Sequence, residues 1–274
     1  MDQERAAIIP GFVFLKTSLE GILDTAAEDS ADYRIAHYLL EICYTVDRIN
    51  VADVAEHCFV SKSKVSRFCR AIGYGDFQDI NSALAQAFVR GEVTKFDAFP
   101  VDKDETIPFY LDGLAQCVAA AQRCLRQEDV DRVAADIMDH ERVGILGRAQ
   151  ANSVGIDLQR DLINTRKVTT APLFMASQRA FIESSDEHTF LLVISCSGTY
   201  FQSFRQRPTF AEGHRPTMCL VTNNPRAARA GGFDYVVTLP CPDDYAHRPL
   251  LNKLFCNCVA IRCAQIADER GLRP

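Results

Sequence analysis

Apolar residues recur at helical spacing through the first 90 residues, then gather into short dense runs from residue 142 onward, so the chain changes character part-way along. In the first stretch Phe12, Leu15, Leu19, Ile22 and Leu23 share one helical face, as do Ile35, Leu39, Leu40 and Cys43, and then Val51, Val54 and Ala55. This pattern predicts helices joined by short connections, without strands. Gly73, Tyr74 and Gly75 end one helix and residues 77–86 begin another. Residues 91–106, GEVTKFDAFPVDKDET, mix charges, contain a proline and have no period, and read as a linker. A helix is expected over 107–126.

Past residue 142 the runs VGIL (143–146), KVTTA (167–171), FLLVIS (190–195), TMCLVT (217–222) and YVVTL (235–239) alternate with helical segments, the last over 250–267. Continuous apolar strands separated by helices predict a five-stranded, doubly wound parallel sheet covered on both faces. The expected organisation is an all-α domain over 1–90, a linker over 91–106 and an α/β domain over 107–274.

Composition narrows the function classes. A chain of 274 residues with 47% hydrophobic and 24% charged residues can bury two cores and is not dominated by disorder. The net charge of −6 is the wrong sign for a protein coated in nucleic acid, so a nucleic-acid site must be a local basic patch. The eleven cysteines are odd in number, include no CxxC pair and sit largely in apolar runs, which fits free thiols in a reducing cytoplasm better than disulfides or zinc. The N-terminal MDQERAAIIPGF lacks the basic and apolar regions of a signal peptide, and no 18-residue apolar stretch suggests a membrane span.

The most informative segment is NVADVAEHCFVSKSKVSRFCRAIGY, residues 50–74. Asn50 and Ser61 are N-cap residues for two successive short helices. Ala55 falls where two crossing helices approach closely, and Val54, Val60, Val65 and Phe68 supply the apolar positions that lock them. That is the spacing of a helix-turn-helix, whose second helix enters the DNA major groove. With Val65, Phe68, Cys69 and Ile72 inward, the second helix turns out Lys62, Ser63, Ser66, Arg67 and Arg70, and residues 61–72 contain no acid. The candidate DNA-binding set is Ser61, Lys62, Ser63, Lys64, Ser66, Arg67 and Arg70, with Lys62, Ser63 and Ser66 nearest the bases and Arg67 and Arg70 on phosphates. Phe59 is out of pattern, because this turn ordinarily holds a glycine at positive φ and a bulky residue there is strained.

In a parallel sheet, ligands bind beyond the carboxyl ends of strands, where helix N-termini offer free N–H groups. Two loops fit. One follows VGIL and supplies Gly147, Arg148, Gln150, Asn152 and Ser153; the other follows FLLVI and supplies Ser195, Ser197, Gly198 and Thr199. Small hydroxyl residues with glycine suit an anion, although they are also ordinary turn residues.

Residues 10–90 resemble the N-terminal domain of the RpiR family of sugar-responsive bacterial regulators. The run VSKSKVSRFCRAIGYGDFQDI is similar to that family's recognition helix and the Gly-Tyr/Phe-x-x-Phe segment after it. The second half resembles a SIS domain, the phosphosugar-binding module that the family joins to its helix-turn-helix. Ser195, Ser197 and Gly198 match its Ser-x-Ser-Gly loop, and Asn223 and Pro225 stand where it has a short polar turn. The departures are specific. Tyr200 occupies the usual Thr position with Thr199 one place early, and Ala149 and Ala151 replace the second Gly and the Ser of the first loop's Gly-x-Gly-x-Ser.

The resemblance implies a regulator bound to a double-stranded DNA operator, a phosphosugar or related anionic effector, and a homodimer or tetramer, with no cofactor or metal. Arg148 either replaces the missing hydroxyl by charge or marks a pocket that now serves dimerisation. A SIS-type isomerase is the remaining alternative. It would need a positioned acid/base pair, and Glu183, Glu187, His188, His214 and His247 all lie outside the two loops.

Overall fold

Side-chain caps set the starts of three of the N-terminal helices. A computed structural model describes residues 11–90, 102–204, 208–210, 213–229, 232–239 and 247–272. It divides the chain into two compact units, the first running to residue 92 and taking in 173–180 and 201–208, the second holding the remainder. The first unit begins with α1 (Phe12–Thr25), α2 (Ala31–Ile42), α3 (Val51–His57), α4 (Lys62–Ala71) and α5 (Phe77–Arg90). Ser30 Oγ accepts from Tyr33 N at 3.1 Å, Asn50 Oδ1 from Ala52 N at 2.9 Å and Ser61 Oγ from Lys64 N at 3.2 Å, each satisfying a donor that a helix start leaves open. Leu15, Leu19, Ile35, Leu39, Val54, Val65, Phe68, Ile80 and Leu84 form the buried interior. Asn81 ties α5 to the segment before α3, since Ile49 N donates to its Oδ1 at 2.9 Å and its Nδ2 donates to Ile49 O at 3.0 Å.

The second unit holds α6 (Thr106–Cys124), α7 (Gln127–Asp139), β1 (Arg142–Gly147), α8 (Gln150–Leu162), β2 (Thr189–Ile194), β3 (Thr217–Thr222), β4 (Tyr235–Thr238) and α10 (Arg248–Glu269). Between α8 and β2 the chain forms α9 (Met175–Glu183), whose last residues belong to this unit. A 3-10 turn, Lys103–Glu105, precedes α6. Most of the expected linker, residues 91–101, lies outside the described residues.

Among the described residues the sheet has four strands rather than five, all parallel, in the order β1-β2-β3-β4. The run 167–171 makes only an isolated bridge on the free edge of β1, through Ile145 N→Thr170 O at 2.8 Å and Thr170 N→Val143 O at 2.9 Å. Val168 is 84% exposed and the run ends at Pro172, which has no N–H to extend a ladder. Its β-branched residues satisfy strand propensity without supplying a second face to bury.

That bridge still fixes the topology. After β1 the chain passes outward to Thr170, then returns to pair β2 on the other side of β1, so the winding reverses between β1 and β2. Helix α8 and the Phe181 side chain meet opposite faces of β1. A Cβ on Gly155 of α8 would meet the Ile145 side chain at 2.9 Å, whereas one on the neighbouring Gly144 would meet Phe181 of α9 at 2.5 Å. On the α8 face, Val143, Ile145, Phe190, Leu192, Cys219 and Val221 form one core with α7, α8 and α10. The ten cysteines among the described residues are free thiols, and burial pushes Cys69, Cys256 and Cys263 up to about 12, which keeps them protonated.

Candidate functional site

Helix α4 presents the face that the spacing predicts. Val65, Phe68, Cys69 and Ile72 are buried, and Ser61, Lys62, Ser63, Arg67 and Arg70 are exposed. Two of the expected DNA contacts have other engagements. Lys64 is half-buried and its Nζ lies 2.7 Å from Asp32 Oδ1 on α2, while Ser66 Oγ donates to Lys62 O at 3.1 Å. At the helix start, the Ser61 and Ser63 hydroxyls lie 2.9 Å apart.

The turn before α4 adopts the conformation that its missing glycine would favour. Phe59 has φ +53° and is 88% exposed. Several bonds hold it there. Phe59 N donates to Glu56 O at 3.1 Å and Val60 N to Ala55 O at 2.9 Å, while Arg34 Nε donates to Cys58 O at 3.1 Å. The small side chain of Ala55, 6% exposed, lets the helix pair close.

In the second unit the two predicted loops stand side by side at the carboxyl ends of β1 and β2, where the winding reverses and open parallel sheets bind ligands. Gly147 is required by close approach, since a Cβ there would lie 2.8 Å from Ala151 C and 2.9 Å from Asn152 N. Ala149, the N-cap of α8, has φ +50° and ψ −127°, a conformation that belongs to glycine. The backbone therefore keeps the Gly-x-Gly path even though the second glycine is alanine. Ala151 is buried, and Asn152 turns inward to donate from Nδ2 to Pro172 O at 3.1 Å. Gln150 and Ser153 are exposed.

The second loop is braced from below. Thr222 Oγ1 donates to Cys196 O at 3.1 Å, Asn223 N donates to the same oxygen at 3.2 Å, and Asn224 Nδ2 donates to Ser197 O at 2.9 Å. Gly198 has φ +74°, and a Cβ on it would fall 2.2 Å from the Ala227 methyl, so residue and turn are matched. Ser195 is buried and continues the β2–β3 ladder through Ser195 N→Val221 O at 2.9 Å. Tyr200, in the usual Thr position, is 1% exposed, and burial pushes its phenol well above the ordinary range, so it is a neutral core residue. Asn224 and Asn252 lay outside the sequence reading. Asn252 Nδ2 sits 3.3 Å from Cys196 Sγ, and the Oδ1 atoms of Asn252 and Asn223 are buried with no hydrogen-bond partner.

Three side chains converge across the two loops. Arg148 Nη2 lies 3.4 Å from Thr199 Oγ1, which lies 2.7 Å from Ser197 Oγ. A half-buried guanidinium and two hydroxyls thus stand together, with donors suited to an oxyanion. The acid/base candidates stand elsewhere. Glu187, 2.9 Å from His214 Nδ1, and His188 precede β2 at its amino end, a strand length of roughly 20 Å from Ser195. His247 is buried, with Nε2 3.1 Å from Tyr110 O.

A capped helix pair with a cationic, acid-free outer face on its second helix defines a helix-turn-helix transcriptional regulator, joined here to a parallel α/β sheet. Residues 24–91 match the helix-turn-helix domain of the rpiR family. The chain is 22% identical over 234 residues to the HTH-type transcriptional regulator HexR of Pseudomonas aeruginosa, covering 84% of this chain and 81% of that protein. Among solved structures it is similar to c3406 of E. coli CFT073, at 11% identity over 61% of this chain and 94% of that one, with a TM-score of 0.50. It is also similar to NanR of Vibrio vulnificus, at 14% identity over 93% of each chain, with a TM-score of 0.47. Residues 24–91 thus carry a helix-turn-helix domain of the rpiR type, in a chain similar to HTH-type transcriptional regulators. Among the described residues no helix is long and apolar enough to cross a membrane.

Proposed function

We propose that this regulator binds a small anionic metabolite of the phosphosugar class at the 147–153 and 195–200 loops, and that the ligand sets the affinity of α4 for an operator. The observation that carries this reading is the convergence of Arg148, Ser197 and Thr199 at the reversal between β1 and β2. Arg148 supplies by charge what Ala151 cannot supply by hydroxyl. The strained Ala149 argues against a decayed loop, since a loop released from function would be free to relax it.

On α4, Lys62 and Ser63 are assigned to the bases and Arg67 and Arg70 to phosphates, with Lys64 held by Asp32. The protein acts as a homodimer on two half-sites, which is the arrangement a helix-turn-helix pair reads. Turnover of a sugar phosphate is disfavoured, because Glu187, His188 and His214 cluster at the wrong end of β2. Thermal-shift measurements across a panel of sugar phosphates test the reading. One or more members raise Tm in the native protein and fail to do so in Arg148→Met. No response across the panel refutes a sensing pocket, and product formation would point to an isomerase.

A further inference from the structure

Phe59 combines features that nothing among the described residues explains: a left-handed φ of +53°, 88% exposure, and a position two residues before the N-cap of the recognition helix. Burial does not hold the ring, so the fold gains nothing from it that a glycine would not supply. The turn is nonetheless clamped, by Arg34 Nε on Cys58 O at 3.1 Å and by the Phe59 N→Glu56 O and Val60 N→Ala55 O bonds. The ring therefore stands out from a fixed backbone and not from a floppy loop. In sequence it shortly precedes Ser61, Lys62 and Ser63, the exposed residues at the start of α4, and the inference rests on the proposed docking of that helix in the groove.

We propose that Phe59 is a specificity residue for DNA, packing its ring on the C5-methyl group of a thymine at the margin of the operator half-site. Ser61, Lys62 and Ser63 are hydrogen-bonding or cationic and suit polar base edges and phosphates, while Val60 beside the ring is half-buried, so Phe59 is the exposed aromatic that can meet a thymine methyl. A preset aromatic makes that contact with little ordering cost, because its backbone is already fixed. An apolar contact releases no counterions, which separates it from the contribution of Lys62, Arg67 or Arg70.

The test uses the full-length protein and duplexes that it selects from a randomised library. Phe59→Gly is expected to bind the selected duplex about tenfold more weakly at constant salt, the size of one lost base-pair contact. The slope of log affinity against log salt stays unchanged. Replacing single thymidines by deoxyuridine, which removes only the methyl, weakens the native protein at one position per half-site and leaves Phe59→Gly unaffected there. The Tm of Phe59→Gly does not fall, so unfolding cannot account for its loss. Equal affinity of Phe59→Gly and native protein overturns the proposal and hands the ring to a protein partner. Weaker binding with no sensitivity to any deoxyuridine overturns the thymine assignment.

Discussion

At the scale of single residues, two non-glycine residues, Phe59 and Ala149, sit at positive φ where the helix-turn-helix and the first loop ordinarily use glycine. Both conformations cost stability because Cβ crowds the adjacent backbone. Ala149→Gly is expected to stabilise the protein by about 1 kcal/mol, the relieved strain less the added chain entropy of glycine. Phe59→Gly should gain about 0.5–1 kcal/mol by the same reasoning. Gly147→Ala goes the other way, losing about 2–3 kcal/mol, because its Cβ would meet the Ala151 and Asn152 backbone at 2.8–2.9 Å. Urea denaturation of the three variants checks all three signs. A loss of stability in Ala149→Gly would mean that the loop does not hold the glycine-like path. The tension at Phe59 was legible in the sequence, because a bulky residue in a glycine turn is a local conflict. That Ala149 keeps the glycine conformation was not, since alanine equally permits a relaxed loop.

At the scale of elements, the helix-turn-helix was readable because its signals are local: caps at Asn50 and Ser61, a small residue at Ala55, and a period of 3.6 that separates basic from apolar faces. What escaped was tertiary. Lys64 looks like a DNA contact until Asp32, 32 positions upstream, is brought to 2.7 Å. The run 167–171 has strand composition, yet propensity does not say whether a partner exists on both edges, and here it makes only one bridge. The convergence of Arg148 with Thr199 depends on strand order, which no window of sequence contains.

Two predictions belong to this scale. Lys62→Ala and Arg67→Ala each weaken operator binding, and Arg67→Ala also lowers the salt slope by about one unit as a phosphate contact is lost. Unchanged affinity in both would remove α4 from the interface. Asn81→Ala, away from that face, costs about 2–3 kcal/mol in thermal or urea unfolding, because it strips both partners from the Ile49 backbone at a buried site. A cost near zero would mean that water replaces both bonds.

At the scale of the whole molecule, a net charge of −6 coexists with a locally basic helix because α4 carries Lys62, Lys64, Arg67 and Arg70 and no acid. Operator affinity should therefore fall with salt by about 0.9 log units per tenfold salt for each phosphate contact that α4 makes. The two units divide the labour. One carries α4, and the other carries loops that gather a guanidinium and two hydroxyls where the sheet's winding reverses. Regulation requires that the ligand bind more tightly to one state of the protein than to another, since equal affinity for both shifts nothing. The measurement that tests this most directly is the affinity of the full-length protein for its operator duplex, by fluorescence anisotropy, with and without each sugar phosphate that raises Tm. At least one such ligand is predicted to change that affinity by about 5–150-fold, and Arg148→Met to abolish the change. A ligand that binds and leaves operator affinity untouched, or an effect that survives in Arg148→Met, would contradict the account.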